Sequence, residues 1–228
     1  NRVSHVSEFL RNGNWFSDAL RSKPKILLIT DIRLILTTFV ISRLIVFFVL
    51  KDVGLWRIKH YIEWVQLTDE KGLMNTWYGY GPAFAYIIYG VWLLSKALVS
   101  NSSDTTFFIL WILLIALSDC FAAFFLYKVA TKFFGQNKGY QVSFLYALLP
   151  TILSFYVDFN ADLLVLALTL ISLYYLIEGN SIRSAIASAL GGSVKIFSFL
   201  VLPIALISDM SPKKKVEWLI FFLVTVIA

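Results

Sequence analysis

The sequence predicts an all-α integral membrane protein, a polytopic bundle of about seven membrane helices, some of them short. Composition is the first observation behind this prediction. Of the 228 residues, 59% are hydrophobic and 15% are charged, against about 25% charged in a typical soluble domain. One soluble core of this size cannot hide so much apolar surface. The second observation is four apolar stretches whose lengths suit a ~30 Å hydrocarbon core: Ile32–Leu50, Phe107–Tyr127, Tyr140–Val157 and Leu163–Ile177.

Polar residues interrupt the apolar stretches at few places, which makes those places candidates for function. Asp119 lies within the second stretch, and Asp158, Asn160 and Asp162 occupy the gap between the third and the fourth. Ionisable groups are costly in a bilayer and usually face a partner or a water-filled cavity. For Asp119 we expect a structural or cavity-shaping role, in which it pairs with Arg43 or caps a neighbouring helix.

Basic residues set the expected orientation, so the net charge of +6 indicates membrane topology rather than nucleic-acid binding. Residues 1–31 form an amphipathic segment that we place in the cytoplasm because it carries five basic side chains: Arg2, Arg11, Arg21, Lys23 and Lys25. Ile32–Leu50 then leads outward to an external region, 51–106, that contains a loop and a juxtamembrane helix. The remaining residues complete a transmembrane domain of 32–228.

Two segments admit two topologies each. Pro82–Leu98 either spans the membrane or lies along its outer face, and Ser184–Ser208 is either one span or two short helices broken near Lys195. The second choice in each case places the later basic loops together in the cytoplasm, which is the positive-inside expectation. The Gly191–Gly192 pair makes a break before Lys195 easy. We therefore favour a juxtamembrane helix at Pro82–Leu98 and a break near Lys195.

Four runs of the chain resemble, in their order and spacing, the GT-C-type glycosyltransferases. The nearest relatives by this resemblance are polyprenyl-phosphate-sugar-dependent enzymes, which include the GPI mannosyltransferase catalytic subunits and prokaryotic relatives. The runs that carry the resemblance are Ser118–Lys128, Leu145–Pro150 followed by Asp158–Asp162, Ala189–Lys195 with Pro203 downstream, and Trp77–Phe84. Three departures stand beside it: a single proline follows Gly81, Phe159–Asp162 stands where many relatives have a Gly-Gln-x-Asp turn, and the region 51–81 has no Asp-x-Asp pair.

The resemblance implies a GT-C-like bundle that transfers a hexose, mannose-like, from a polyprenyl- or dolichyl-phosphate donor to an acceptor on the non-cytoplasmic side. The transfer inverts the anomeric carbon: a carboxylate takes the acceptor's proton, and the lipid phosphate leaves against positive charge. The family places its base just after the first span, where this chain has Asp52. Glu63, Asp69 and Glu70 are the alternative bases.

The resemblance also suggests the residues that bind substrate. Lys195 is the first candidate for the lipid phosphate, and Arg57 is a weaker one. Asp158 and Asp162 would hold sugar hydroxyls or position a partner, and Tyr80 would stack on a sugar or an isoprenoid. Each has a simpler interpretation, because Lys195 can snorkel to the headgroups, Asp162 can start the next helix and Tyr80 can belong to an interfacial aromatic belt.

Other classes of site find little support. Two histidines and one cysteine make no zinc constellation, so we expect no metal centre and leave open a divalent cation held by oxygen ligands at Asp52. The expected partners are a lipid-linked sugar donor, membrane lipids, a glycan, protein or lipid acceptor, and a membrane partner subunit, with no nucleic acid.

The expected location is a plasma membrane in a prokaryote or the endoplasmic reticulum membrane in a eukaryote. The chain stops inside an apolar run at Ala228, and we expect the native protein to continue past it. A non-catalytic GT-C-like scaffold subunit is the main alternative function. A transporter is less favoured, because no inverted repeat pairs the Lys195 break with an earlier one.

Overall fold

A computed structural model describes residues 32–75, 80–99, 103–149, 152–153 and 159–227. Within these residues the chain is 90% helical and has no strand, which confirms the all-α class. The helices are α1 (Ile32–Lys71), α2 (Pro82–Leu98), α3 (Ser103–Phe134), α4 (Gln136–Leu148), α5 (Asp162–Ile177), α6 (Ser181–Val194), α7 (Val201–Ile207) and α8 (Pro212–Ile227), with 3-10 turns at Leu73–Asn75 and Ile196–Leu200. The predicted cytoplasmic segment 1–31 and the candidate Asp158 lie outside the described residues.

Helix α1 is longer than the sequence suggested. Its 40 residues extend about 60 Å and include the region after Leu50 that we expected to be a loop. The residues after Leu50 are more polar than those before it, but the helix continues through them and ends before Gly72. That glycine has φ +82°, a left-handed conformation that suits Gly at a helix C-terminus, and its N–H donates to the Thr68 carbonyl at 2.9 Å.

Aromatic side chains from α1, α2 and α3 form the centre of the bundle. Tyr61, Phe84 and Trp111 are fully buried, and their rings lie 5.3 to 6.0 Å apart in edge-to-face geometry. Phe107, one turn before Trp111, stacks beside it at 6.2 Å. Such pairs add about 0.5–1.5 kcal/mol each beyond the area they bury. This cluster fixes the first three helices against one another.

Helix α6 packs closely against α5 and α8 because its buried face consists of small residues. Ser184 joins all three helices: its carbonyl accepts from the Ser172 hydroxyl at 2.7 Å, and its own hydroxyl accepts from Trp218 Nε1 at 3.0 Å. Small residues let helix backbones approach, and hydroxyls that bond across the interface are typical of helix packing inside membranes.

Asp119 pairs with Arg43, as one of the two sequence alternatives predicted. Arg43 Nε donates to Asp119 Oδ2 at 2.8 Å and Nη2 donates to Oδ1 at 3.2 Å. Arg43 Nη1 donates to the Ala147 carbonyl at 2.6 Å, and the Tyr146 hydroxyl donates to Asp119 Oδ1 at 2.6 Å. The carboxylate thereby joins α1, α3 and α4 through buried charges, which is a structural role.

A broad apolar surface remains exposed on the bundle. In α1 the side chains of Phe48 and Val49 are 68% and 72% exposed, and large apolar residues stay exposed along α3, α7 and α8 as well. Helix α3 includes the one segment in the described part of the chain, Asp104–Phe134, that is long and apolar enough to cross a membrane, with a mean hydropathy of 2.4. Exposed apolar patches of this extent mark surfaces that another apolar medium or partner covers.

Helix α5 separates two polar ends of the bundle. Its 16 residues place Asp162 about 24 Å from Ile177. At the far end Lys132 Nζ contacts Glu178 Oε1 at 2.6 Å, and Lys214 Nζ donates to the Gly179 carbonyl at 2.8 Å. We call this far end, formed by residues 128–139, 177–183 and 207–217, the basic end.

Candidate functional site

Three chain segments meet at the Asp162 end of α5: Tyr80–Gly81, Phe159–Asp162 and Ser193–Lys195. The Gly81 N–H donates to the Val194 carbonyl at 3.0 Å. A Cβ on residue 81 would collide with the Ser193 carbonyl, so only glycine permits this approach of two backbones. The contact brings the start of α2 directly against the end of α6.

Lys195 stands at the break that the sequence predicted. Helix α6 ends at Val194, Lys195 is extended with φ −155° and ψ 135°, and a 3-10 turn begins at Ile196. A Cβ on Gly192 would overlap the ring of Phe199, so the glycine lets the returning chain pack against α6. The predicted break near Lys195 is therefore confirmed, and it aims the lysine away from the helix axis.

The Lys195 ammonium is held by Asp162 and faces aromatic rings. Its Nζ donates to Asp162 Oδ1 at 2.6 Å, with the two side chains 31% and 19% exposed. The Tyr80 and Phe197 ring centroids lie 5.6 and 5.4 Å from Nζ, within the range of cation–π attraction. Asp162 is the first residue of α5, as expected, but the preceding Ala161 is the N-cap residue and provides no side-chain bond.

Asn160 belongs to the same group, although the sequence analysis did not count it among the site residues. Its Oδ1 accepts from the Tyr80 hydroxyl at 3.3 Å and from the Asp162 N–H at 3.2 Å. Among the described residues its amide nitrogen donates no hydrogen bond, so a donor is left for a ligand. The position between two aspartates in a polar gap was the only available signal, and its link to Tyr80 spans 80 residues of chain.

The turn that presents Asn160 and Asp162 is held in an uncommon conformation. Phe159 has φ 49°, in the left-handed region that large side chains rarely occupy. Its carbonyl accepts from Trp111 Nε1 at 3.0 Å, and its buried ring contacts Phe47 and Phe108. Surrounding packing therefore fixes the turn, and strain of this kind is found at functional sites more often than elsewhere.

Arg57 reaches this group through Tyr61. The buried Tyr61 phenol lies near Tyr80 and Arg57, but its oxygen makes no hydrogen bond with the described residues. Burial and the neighbouring Tyr80 raise the pKa of Tyr61, and the Arg57 guanidinium opposes this only in part. Tyr61 therefore stays protonated at neutral pH. The structure thus connects Tyr80, Asp162 and Lys195 by direct contacts, and Arg57 lies near this group beside Tyr61.

The alternative carboxylate bases lie on α1 rather than in a loop. Glu63 and Glu70 are exposed, and Glu63 contacts His60 at 3.4 Å. Asp52 also lies within α1. Its side chain, and with it the predicted cation site, lies outside the described residues. The structure therefore puts these carboxylates on a helix that also carries Arg57 and Tyr61.

The Asp69 carboxylate already has three hydrogen-bond donors. It accepts hydrogen bonds from Tyr89 at 3.0 Å, from Trp92 at 2.8 Å and from Lys96 at 2.9 Å. Burial alone would raise the pKa of Asp69, but these three donors outweigh it and hold the pKa below its usual value. A carboxylate stabilised in this way is a weak base, and its geometry fits a clamp between α1 and α2.

In the described residues no group of three or more His, Cys, Asp or Glu side chains is placed to hold a metal ion. Comparison with family models, with curated proteins and with solved structures gives no match. Function must therefore be argued from the chemistry of this chain's own residues.

Proposed function

We propose that this chain is a multi-pass membrane glycosyltransferase of GT-C type, which moves a hexose, mannose-like, from a polyprenyl- or dolichyl-phosphate donor to an acceptor. One observation carries the proposal: Lys195, Asp162, Asn160 and Tyr80, from three distant parts of the sequence, lie together at one end of an all-α bundle with an exposed apolar surface. The acceptor is a glycan, a protein or a lipid.

The membrane placement draws on the surfaces described above. A bilayer would cover the exposed apolar side chains of α1, α3, α7 and α8. The ~24 Å between the ends of α5 approaches the thickness of a hydrocarbon core. The basic end then faces the cytoplasm, and the Lys195 site lies on the opposite side, in the bundle of about seven helices that the sequence predicts.

The site chemistry suits a lipid-phosphate leaving group. An ammonium and an amide donor lie close together, and such donors stabilise a developing phosphate charge; the Tyr80 hydroxyl would join them by releasing Asn160. Asp162 offers acceptor oxygens for sugar hydroxyls, and the exposed Phe197 ring offers an apolar surface for an isoprenoid. Asp162 takes one of the three donors of the Lys195 ammonium, so two remain for phosphate oxygens.

For the base we keep Asp52 as the first candidate, with Glu63 and Glu70 behind it. Asp69 is the last candidate base, because three hydrogen-bond donors already contact its carboxylate. All four lie on α1, the helix that carries Tyr61, and Asp52 and Glu70 are each about 14 Å from Tyr61 along the helix axis. Asp52→Asn is expected to lower turnover by orders of magnitude while leaving donor binding in place.

The test is transfer of label from a panel of radiolabelled polyprenyl-phosphate sugars in membranes that contain the protein. Lys195→Met should lower transfer at least about tenfold, since charged hydrogen bonds contribute about 1.5–3 kcal/mol. Lys96→Met is the matched control, because Lys96 also pairs with one carboxylate and lies 5.7 Å from the Trp92 ring. Equal loss in both variants, or no transfer from any donor, would reject the proposal.

A non-catalytic scaffold subunit is the second candidate. The observation that favours it is the 2.6 Å contact between Lys195 and Asp162, which already neutralises the cation a phosphate would need. A scaffold predicts that Lys195→Met and Asp162→Asn weaken folding or partner binding equally. An enzyme predicts that Asp162→Asn alters donor affinity and leaves the fold intact.

A further inference from the structure

A groove opens at the basic end, about 24 Å along α5 from the Lys195 site. It has a volume of about 580 Å³ and lies between the end of α3, the α5–α6 turn, α7 and the start of α8. Its walls are of two kinds. One side is apolar, with Phe133, Ile177 and Ile204, and the other side is polar, with Ser208, Asp209, Ser211 and Lys214 among its residues. A groove with this division fits a molecule that has an apolar chain and a polar head.

Basic side chains are in excess at the end of the bundle where the groove opens, and one of them, Lys214, lines it. In the last turns of α3 and the first turns of α4, α6 and α8 the chain carries Lys128, Lys132, Lys138, Arg183, Lys213, Lys214 and Lys215. The acidic side chains beside them are Glu178, Asp209 and Glu217. Lys132 forms an ion pair with Glu178. Glu217 accepts a hydrogen bond from the Ser181 hydroxyl. The positive charge that remains around the groove favours an anionic occupant.

Lys214 is placed to hold the head of such an occupant. Its Nζ donates to the Gly179 carbonyl at 2.8 Å, which fixes the side chain at the mouth of the groove. An ammonium has three donors, so two are left for phosphate oxygens. The neighbouring Lys213 is exposed and adds charge at the same edge.

The apolar wall is placed to hold a chain. Phe133 and Ile204 are well exposed, and Ile207, at the end of α7, is exposed by 76%. These side chains continue the apolar surface of the bundle up to the basic rim. An acyl chain lying on them would run along the bundle toward its middle, and its head would stay beside Lys214.

We propose that the groove at the basic end binds an anionic membrane phospholipid, with the phosphate at Lys214 and an acyl chain against Phe133, Ile177 and Ile204. The proposal rests on the proposed membrane placement and not on transferase activity. Charge complementarity and the division of the groove into apolar and polar walls select this occupant. A protein segment would not need the excess of positive charge, and free phosphate would not need the apolar wall.

The experiment is lipid titration of the full chain in a non-ionic detergent, with bound lipid counted by native mass spectrometry. Phosphatidylglycerol and phosphatidylcholine with the same acyl chains are compared. We expect the wild type to prefer phosphatidylglycerol by at least about tenfold. Lys214→Gln should reduce this preference about fivefold, which is the contribution of one basic residue near an anionic lipid surface. Lys96→Gln, whose lysine pairs with Asp69 on α1, should keep the wild-type preference.

A second variant separates recognition from folding. Lys213 is exposed, so Lys213→Gln should fold normally and still weaken the preference for phosphatidylglycerol. Equal binding of the two lipids by the wild type would overturn the proposal. Equal loss in Lys96→Gln and Lys214→Gln would do the same. Displacement of the lipid by inorganic phosphate at equal concentration would show a simple anion site and would also overturn it. None of these readouts depends on sugar transfer, so a failed transferase assay leaves the result interpretable.

Discussion

The buried pair of Arg43 and Asp119 gives the most quantitative prediction. The two residues are 5% and 1% exposed and meet through two hydrogen bonds of 2.8 and 3.2 Å. Asp119→Leu would leave a buried guanidinium with only the Ala147 carbonyl and the Ser42 hydroxyl as hydrogen-bond acceptors. Breaking a buried pair from one side costs about 3–5 kcal/mol.

Removing both partners should cost much less than the sum of the single changes. The double variant Arg43→Met with Asp119→Leu has no charge at either of these two buried positions. It still leaves the Tyr146 hydroxyl and the Ala147 carbonyl without these partners, at about 1–3 kcal/mol each. We therefore expect a coupling free energy of about 3 kcal/mol or more between the two positions.

The assay is reversible unfolding in mixed detergent micelles, with the wild type, both single variants and the double variant. Tyr146→Phe is the control, because it removes one 2.6 Å bond to Asp119 and keeps both charges. Its cost should be about 1.5–3 kcal/mol, the range for a hydrogen bond to a charged group. Additive single and double changes, with a coupling near zero, would refute the structural role of the pair.

Three further predictions concern the Asp69 contacts between α1 and α2, the contact of Gly81 with Ser193, and the aromatic core around Trp111. Asp69→Asn removes a carboxylate whose pKa is lowered on folding, so the wild type should lose stability as pH falls below about 4 and the variant should lose less. Melting curves of both proteins at pH 7 and pH 3 measure this. An equal fall in melting temperature in the wild type and in Asp69→Asn would contradict it. Gly81→Ala forces a Cβ against Ser193 and should lower the midpoint of thermal unfolding, whereas Gly90→Ala, at an exposed helix position with open space around it, should not. Trp111→Ala should cost about 3–5 kcal/mol in the unfolding assay, and a cost below 1 kcal/mol would show that the aromatic cluster is not the core.

Local signals in the sequence predicted much of the helical framework. The expected helix at Pro82–Leu98 has those bounds in the structure, because a proline at the first position begins a helix without losing a needed hydrogen bond. The break near Lys195 follows from the Gly191–Gly192 pair. The partner of Asp119 could be named because a buried carboxylate needs a cation, and Arg43 is a cation within an apolar stretch.

Long-range geometry could not be predicted in the same way. The loss of apolar character after Leu50 was interpreted as the end of a helix, but α1 continues to Lys71 because polar residues form helices equally well. Asp69 was counted as a candidate base because sequence alone does not show that Trp92 and Lys96 occupy its oxygens. Asn160 was placed in the polar gap but given no binding role, because its contact with Tyr80 depends on how the starts of α2 and α5 come together.

In the proposed function, Lys195 holds the phosphate of a lipid-linked donor. The most direct measurement is saturable binding of a polyprenyl phosphate without its sugar, by wild type, Lys195→Met and Lys96→Met in lipid nanodiscs. We expect binding by the wild type and by Lys96→Met, and about 10- to 100-fold weaker binding by Lys195→Met. Equal affinity in all three proteins, or no binding by the folded wild type, would contradict it.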